Sequence, residues 1–166
     1  MIVNPHVEVA WWIEGTREQY RISGTVSIIP RPSHTFYNNF LHSVENANFG
    51  TGLRALIEQD KIDWEAKRLE TFSKMSPGMK ATWARPLAPG SELGDEDPSS
   101  WPEKIENPTD EDSEENRKNW ELAYSNFALV VIEPVEVDYL EMAVQPNRRW
   151  RFWKHRSEWK EQAIVP

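Results

Sequence analysis

Gln19-Tyr20-Arg21-Ile22-Ser23-Gly24-Thr25-Val26-Ser27-Ile28 alternates in character residue by residue. Tyr20, Ile22, Val26 and Ile28 are apolar, with Gly24 in the same register, while Gln19, Arg21, Ser23, Thr25 and Ser27 share the other parity. A strand sends successive side chains to opposite faces, so this pattern predicts a β-strand with one apolar and one polar face. Just upstream, Val7, Val9, Trp11 and Ile13 are apolar on odd positions, with Glu8 and Glu14 on even ones. That is a second strand, joined to the first by the short turn Glu14-Gly15-Thr16-Arg17-Glu18. The row of donors from Gln19 to Ser27 has two readings: a face turned to water, as on most antiparallel sheets, or a set of groups aimed at a ligand.

Pro30 and Pro32 stop the ladder, and residues 33–52 lack sustained periodicity, which predicts a loop or a short irregular helix. Ile62, Ala66, Leu69 and Phe72 recur at helical spacing as far as Met75. Ser76 then caps a short helix with Pro77 at its first position, running towards Trp83 before Pro86 and Pro89 break it. Residues 88–112 are rich in Pro, Ser, Asp and Glu and predict a flexible acidic loop. Asp112 and Glu115 resemble a capping box for a helix whose apolar side is Trp120, Ala123 and Tyr124. Phe127–Ile132, Val137–Val144, Arg148–His155 and Trp159–Val165 have the character of strands. Two sets of strands around a helical middle predict one mainly β domain over residues 1–166, an antiparallel barrel or α+β sheet, and argue against a doubly wound sheet.

At 166 residues the chain is long enough for a core, and nine Trp, six Phe and four Tyr put much of the burial into rings. The absence of cysteine excludes disulfides, a thiol nucleophile and thiolate metal sites, and fits a reducing compartment. No run of apolar residues is long enough to span a membrane and no signal-peptide pattern opens the chain, so a soluble, cytoplasmic protein is expected, with no membrane partner. The net charge of −8 is unevenly spread. Between Glu92 and Glu115 eleven acidic residues face Lys104 alone, whereas Arg148–Lys160 holds six Arg or Lys against Glu158. A basic cluster on an otherwise near-neutral body can hold an anion.

Several chemistries lack their residues. There is no Gly-rich phosphate loop, no Gly-x-Ser-x-Gly elbow and no metal-ligand spacing among His6, His34, His42 and His155. The carboxylates crowd one low-complexity stretch and define no acid/base pair. The basic run is short and the total charge negative, so no nucleic-acid partner is expected. What remains is the polar face of the second strand and the cationic C-terminal strand. In a small antiparallel barrel first and last strands lie side by side, which brings Gln19 or Arg21 towards Arg149 and Arg151 and makes an anion pocket. The competing reading has Arg148, Arg149 and Arg151 stacked on Trp150, Trp153 and Trp159 or paired with acidic neighbours.

Trp11-Trp12 followed by Thr16-Arg17-Glu18-Gln19-Tyr20-Arg21-Ile22-Ser23-Gly24 resembles the Trp-x-x-x-x-Thr-x-x-Gln-aromatic-Arg-Ile-x-Gly segment of pyridoxamine 5'-phosphate oxidase-like FMN-binding split-barrel proteins. Ser76-Pro77-Gly78-Met79 with Trp83 and Pro86 is similar to a helical signature of the fungal and cyanobacterial subfamily. Asn126-Phe127, Pro134, Val137, Arg148-Arg149, Trp159 and Pro166 follow in the same order. The resemblance implies an antiparallel split β-barrel that binds FMN without a covalent bond, as a homodimer, with an oxidoreductase role of unassigned substrate. It also implies that Gln19 contacts the flavin and that Arg151 or Arg149 helps to hold it. With the anion pocket read from the strands, this makes Gln19, Arg21, Arg149 and Arg151 the candidate cofactor-binding residues; no catalytic residue is assigned. Two departures accompany the likeness. Relatives begin with further strands that grip the FMN phosphate, so the barrel and the phosphate grip are expected to be incomplete at the N-terminus. The oxidases' Arg-Leu-His-Asp-Arg motif is replaced by Asn147-Arg148-Arg149-Trp150-Arg151, which lacks the His. The alternative is a noncatalytic split-barrel dimerisation or binding module that has lost FMN.

Overall fold

A computed structural model describes residues 4–45, 52–156 and 158–166. In chain order the elements are β1 (His6–Ile13), β2 (Glu18–Ile29), α1 (Tyr37–Glu45), α2 (Gly52–Glu58), α3 (Trp64–Ser73), α4 (Pro77–Thr82), a 3₁₀ turn at Pro98–Ser100, α5 (Glu114–Asn126), β3 (Leu129–Glu141), β4 (Arg148–His155) and β5 (Glu158–Ile164). Two compact units divide the chain: a sheet unit of residues 1–28, 39–61 and 130–166, and a helical unit of residues 29–38 and 62–129.

In the sheet unit the strands follow one another in the order β1-β2-β3-β4-β5. The pairs β1–β2, β3–β4 and β4–β5 are antiparallel. Of the two architectures expected, a split barrel incomplete at its N-terminus or an α+β sheet, the barrel is not closed: the fold is mixed α and β, with an open five-stranded sheet. Closure needs the first and last strands to pair, and here each strand pairs with its neighbours in the chain, leaving β1 and β5 as edges. β5 carries Glu158, Lys160, Glu161 and Gln162, all exposed. Charges along an edge discourage further strand pairing.

Two expected strands, Phe127–Ile132 and Val137–Val144, are one continuous β3 that runs through Pro134. The ladder to β4 begins at Glu136, so the missing N–H of Pro134 takes nothing from it. Gly24 of β2 is buried where β3 crosses closely, and a Cβ there would run into the backbone carbonyl oxygen of Glu133. The stretch expected as a loop or irregular helix over 33–52 contains α1 and the start of α2. Its part at 46–51 lies outside the described residues.

The helical unit is organised by caps and rings. Asp63 accepts hydrogen bonds from the Glu65 and Ala66 amides, both at 3.0 Å, and starts α3. Ser76 accepts from Met79 N and Pro77 occupies the first turn of α4, as the sequence predicts. The cap of α5 is Ser113, one residue later than the capping box at Asp112 implies. Asp112 is drawn off by its own turn, where its carboxylate accepts from Thr109 N at 2.7 Å. Phe72 is fully buried, with Trp120, Tyr124 and Phe127 ring centroids 5.5, 5.3 and 5.4 Å away. Ile105, from within the polar 88–112 stretch, joins this core with no exposed surface, and its amide donates to Pro77 O at 3.1 Å.

Candidate functional site

Strand register decides which of the four candidate residues meet. Trp12 stands opposite Gln19 and Ala10 opposite Arg21 on β1–β2, while Leu140 stands opposite Arg149 and Asp138 opposite Arg151 on β3–β4. Directly paired residues share a face. A hollow of about 180 Å³ lined by Gln19, Arg21, Asp138, Leu140 and Arg149 joins the two halves. Gln19, Arg21, Arg149 and Arg151 therefore lie on one face of the open sheet, with Arg151 one step beyond the hollow along β4.

Their commitments differ. Arg149 forms a two-point fork with Asp138, Nε to Oδ1 at 2.9 Å and Nη2 to Oδ2 at 2.6 Å. Arg151 makes the same fork with Glu136, at 2.9 and 2.7 Å, and stands 5.9 Å from the Trp153 ring centroid. Two late guanidinium groups are thus held by acids on the neighbouring strand. Arg149 hydrogen bonds hold the Asp138 carboxyl below the usual carboxylate range, and the charges of Arg21 and Arg151 act in the same direction. Arg21 makes no hydrogen bond or close ion pair among the described residues, and neither does the Gln19 amide. Both are left on the rim of the hollow with donors to spare.

Asp138 and Glu136 were not among the sequence candidates. The signal was present in their spacing: two acids of one parity on the strand before two arginines of one parity. Cross-strand charge pairs of that kind stabilise an antiparallel ladder, but which acid meets which arginine depends on register.

The opposite face is aromatic. Trp11, Tyr20, Tyr139 and Trp150, one from each of four adjacent strands, form a ladder with centroid separations of 6.3, 4.8 and 5.6 Å. The Tyr139 hydroxyl donates to Glu18 Oε1 at 2.8 Å. Burial, helped by the Glu18 carboxylate, pushes the Tyr139 phenol up to about 12, and the bond from Tyr139 lowers Glu18. Trp11 is 57% exposed and Trp159, further along this face on β5, is 47% exposed.

Among the described residues no group of three or more His, Asp or Glu side chains is arranged to hold a metal ion, and no helix is long and apolar enough to cross a membrane. No family model and no curated protein matches the chain. Among solved structures, a pyridoxamine 5'-phosphate oxidase-related, FMN binding protein from Nostoc punctiforme superposes with a TM-score of 0.59 at 22% identity, over 98% of this chain and 63% of that one. The two chains share a fold. PhzG from Burkholderia lata, solved with tetrahydrophenazine-1-carboxylic acid, gives a TM-score of 0.47 at 14% identity, over 98% of this chain and 59% of that one. This chain therefore spans less than two thirds of the length of either protein.

Proposed function

We propose that this chain binds FMN on the polar face of its sheet, as a homodimer, and serves a flavin-dependent oxidoreductase whose substrate is unassigned. One observation carries the reading: Gln19 and Arg21, free of partners among the described residues, meet Arg149 around a single hollow. The donor set fits one polar edge of a flavin. A Gln amide both donates to and accepts from a heterocycle edge, and Arg21 supplies a positive charge beside it. The hollow is about 180 Å³, smaller than the roughly 300–1,000 Å³ of most small-molecule sites. A second copy must therefore supply further walls, and Trp12, paired with Gln19 on the polar face and 40% exposed, is apolar surface beside the hollow for such a copy to cover. When bound, the flavin supplies hydride chemistry, and the protein's part is to bind and orient it and to set its polar surroundings.

A second reading has its own observation. Arg149 and Arg151 are already neutralised by Asp138 and Glu136, as in a noncatalytic dimerisation module that has lost the cofactor.

The test is colour. Purified protein mixed with FMN at micromolar concentration should keep its flavin absorbance through desalting and quench the flavin fluorescence. Gln19→Ala and Arg21→Ala should each weaken retention by about tenfold, the effect of losing one hydrogen bond to a charged or strongly polar group. No retained flavin, with a stable dimer by light scattering, would favour the second reading. Retention unchanged in both variants would put the site elsewhere.

A further inference from the structure

The helical unit contains a hollow of about 650 Å³, larger than the one beside Gln19 and Arg149, walled by Trp83, Leu87, Leu93 and Trp101, with Arg85 and Asn126 among its polar groups. That volume lies within the range of small-molecule sites, and the mixture of apolar walls with few polar groups is their usual composition. We propose that this hollow is a binding site for a planar, apolar ligand carrying a carboxylate, separate from the flavin site proposed on the sheet.

Two observations define the ligand. The walls are rings and aliphatic side chains, which favour a flat apolar body. Arg85 is exposed, and its guanidinium stands 5.8 Å from the Trp101 ring centroid. No carboxylate side chain lines the hollow, and Arg85 has no ion pair among the described residues. A planar guanidinium at the edge of an apolar hollow with no acid in its lining selects an anion, and its fork matches the two oxygens of a carboxylate.

The test uses 2-naphthoate and its uncharged counterpart naphthalene-2-carboxamide, each titrated calorimetrically into the intact chain. The expected result is naphthoate binding with a dissociation constant below about 1 mM, and carboxamide binding at least about tenfold weaker, as for loss of a charge-assisted bond. Arg85→Gln should weaken naphthoate by about tenfold and leave the carboxamide within about twofold. Trp101→Leu, which removes the flat ring from the wall, should weaken both probes several-fold. Circular dichroism monitors folding; should the Trp101 variant not fold, the exposed Arg85 decides alone. No naphthoate binding, equal binding of the two probes, or indifference to Arg85→Gln would each overturn the proposal. So would competition by FMN, which would put both ligands in one cleft. Naphthoate binding in a protein that retains no flavin would leave this site standing while the flavin reading fell.

Discussion

Arginine is used in two opposite ways in the two units. In the helical unit Arg68 is 1% exposed, and its donors are taken up by neighbours. Nε and Nη2 bond both oxygens of Glu65 at 2.9 and 2.8 Å, and Nη1 bonds Tyr124 O and Phe127 O at 2.8 and 2.9 Å. The guanidinium also lies 3.8 Å from the Tyr124 ring centroid. On the sheet, Arg149 and Arg151 each face one acid and remain in contact with water, and Arg21 has no close partner among the described residues. The same side chain is a structural clasp when buried and saturated, and a means of recognition when it has donors to spare. Arg68 ties α3 to the end of α5, donating to Phe127 O and adding to Tyr124 O a second donor beside the Phe127 amide at 3.3 Å.

The largest effect expected from this contrast is at Arg68. Arg68→Met fills much of the same space but takes a donor from Tyr124 O and Phe127 O and unpairs the part-exposed Glu65, so it should cost about 2–4 kcal/mol, the scale of a buried acceptor left short of a donor together with a lost ion pair. The measurement is the urea midpoint followed through the tryptophan signal. A cost no greater than that of a surface arginine would break the comparison. Next comes Gly24→Ala, which tests the sheet through its backbone. The new methyl meets the Glu133 carbonyl, a group that cannot swing aside, and a loss of about 1–3 kcal/mol is expected for such overpacking. Thermal unfolding that leaves the midpoint unchanged would mean that β3 does not press on β2 at this point.

Arg149→Met should cost about 1 kcal/mol or less, the scale of a partly exposed ion pair, because Asp138 keeps Arg21 and Arg151 nearby. The variant also has a pH signature. The Asp138 carboxyl is depressed in the folded state, so its contribution is present above the ordinary carboxylate value and lost as pH falls through the folded one. Removing Arg149 raises the Asp138 carboxyl and flattens that part of the acid limb. An acid limb identical to the parent's would show that the Arg149 fork contributes nothing to stability.

The parts of the fold that could be read from residues were those written locally. Alternating parity from Val7 to Ile28 defines β1 and β2, and Ser76-Pro77 marks the start of α4. Parity alone also put Gln19 with Arg21, and Arg149 with Arg151. Sheet closure could not be read, because it depends on a pairing between strands at the two ends of the chain, and each strand's own pattern suits an open or a closed sheet equally. β3 was split at Pro134 because a proline removes an amide, yet whether that amide is needed depends on where the β4 ladder begins. Asp138 and Glu136 escaped notice for the same reason, since the register supplies their partners. Ile105 was masked by composition: one fully buried side chain in a stretch of acids and prolines is invisible to any average over the stretch.

The smallest expected effect compares two phenols, one from each unit. Tyr124 donates to Glu65 Oε1 at 2.7 Å in the helical unit, and Tyr139 donates to Glu18 Oε1 at 2.8 Å on the sheet. Burial first, and the neighbouring carboxylate second, push each phenol up to about 12. A phenol whose folded value lies above its unfolded one stabilises fully below the unfolded value, near 10, and the contribution disappears as pH rises through the folded value. Stability should therefore decline between about pH 10 and 12, because ionisation removes the donated proton and leaves two anions in contact. Absorbance at the phenolate band should show late-ionising tyrosines, with Tyr124→Phe and Tyr139→Phe each deleting one of them and flattening the alkaline decline. In Tyr139→Phe the Glu18 carboxyl also rises, since the bond from Tyr139 is the largest cause of its lowering. Arg68 separates the two sites further: its charge favours the ionised form of Tyr124, whereas the charges acting on Tyr139, from Glu18, Tyr20 and Glu141, all oppose ionisation. Arg68→Met should therefore shift Tyr124 later still and leave Tyr139 unmoved, and a shared shift would mean that the two units do not titrate independently.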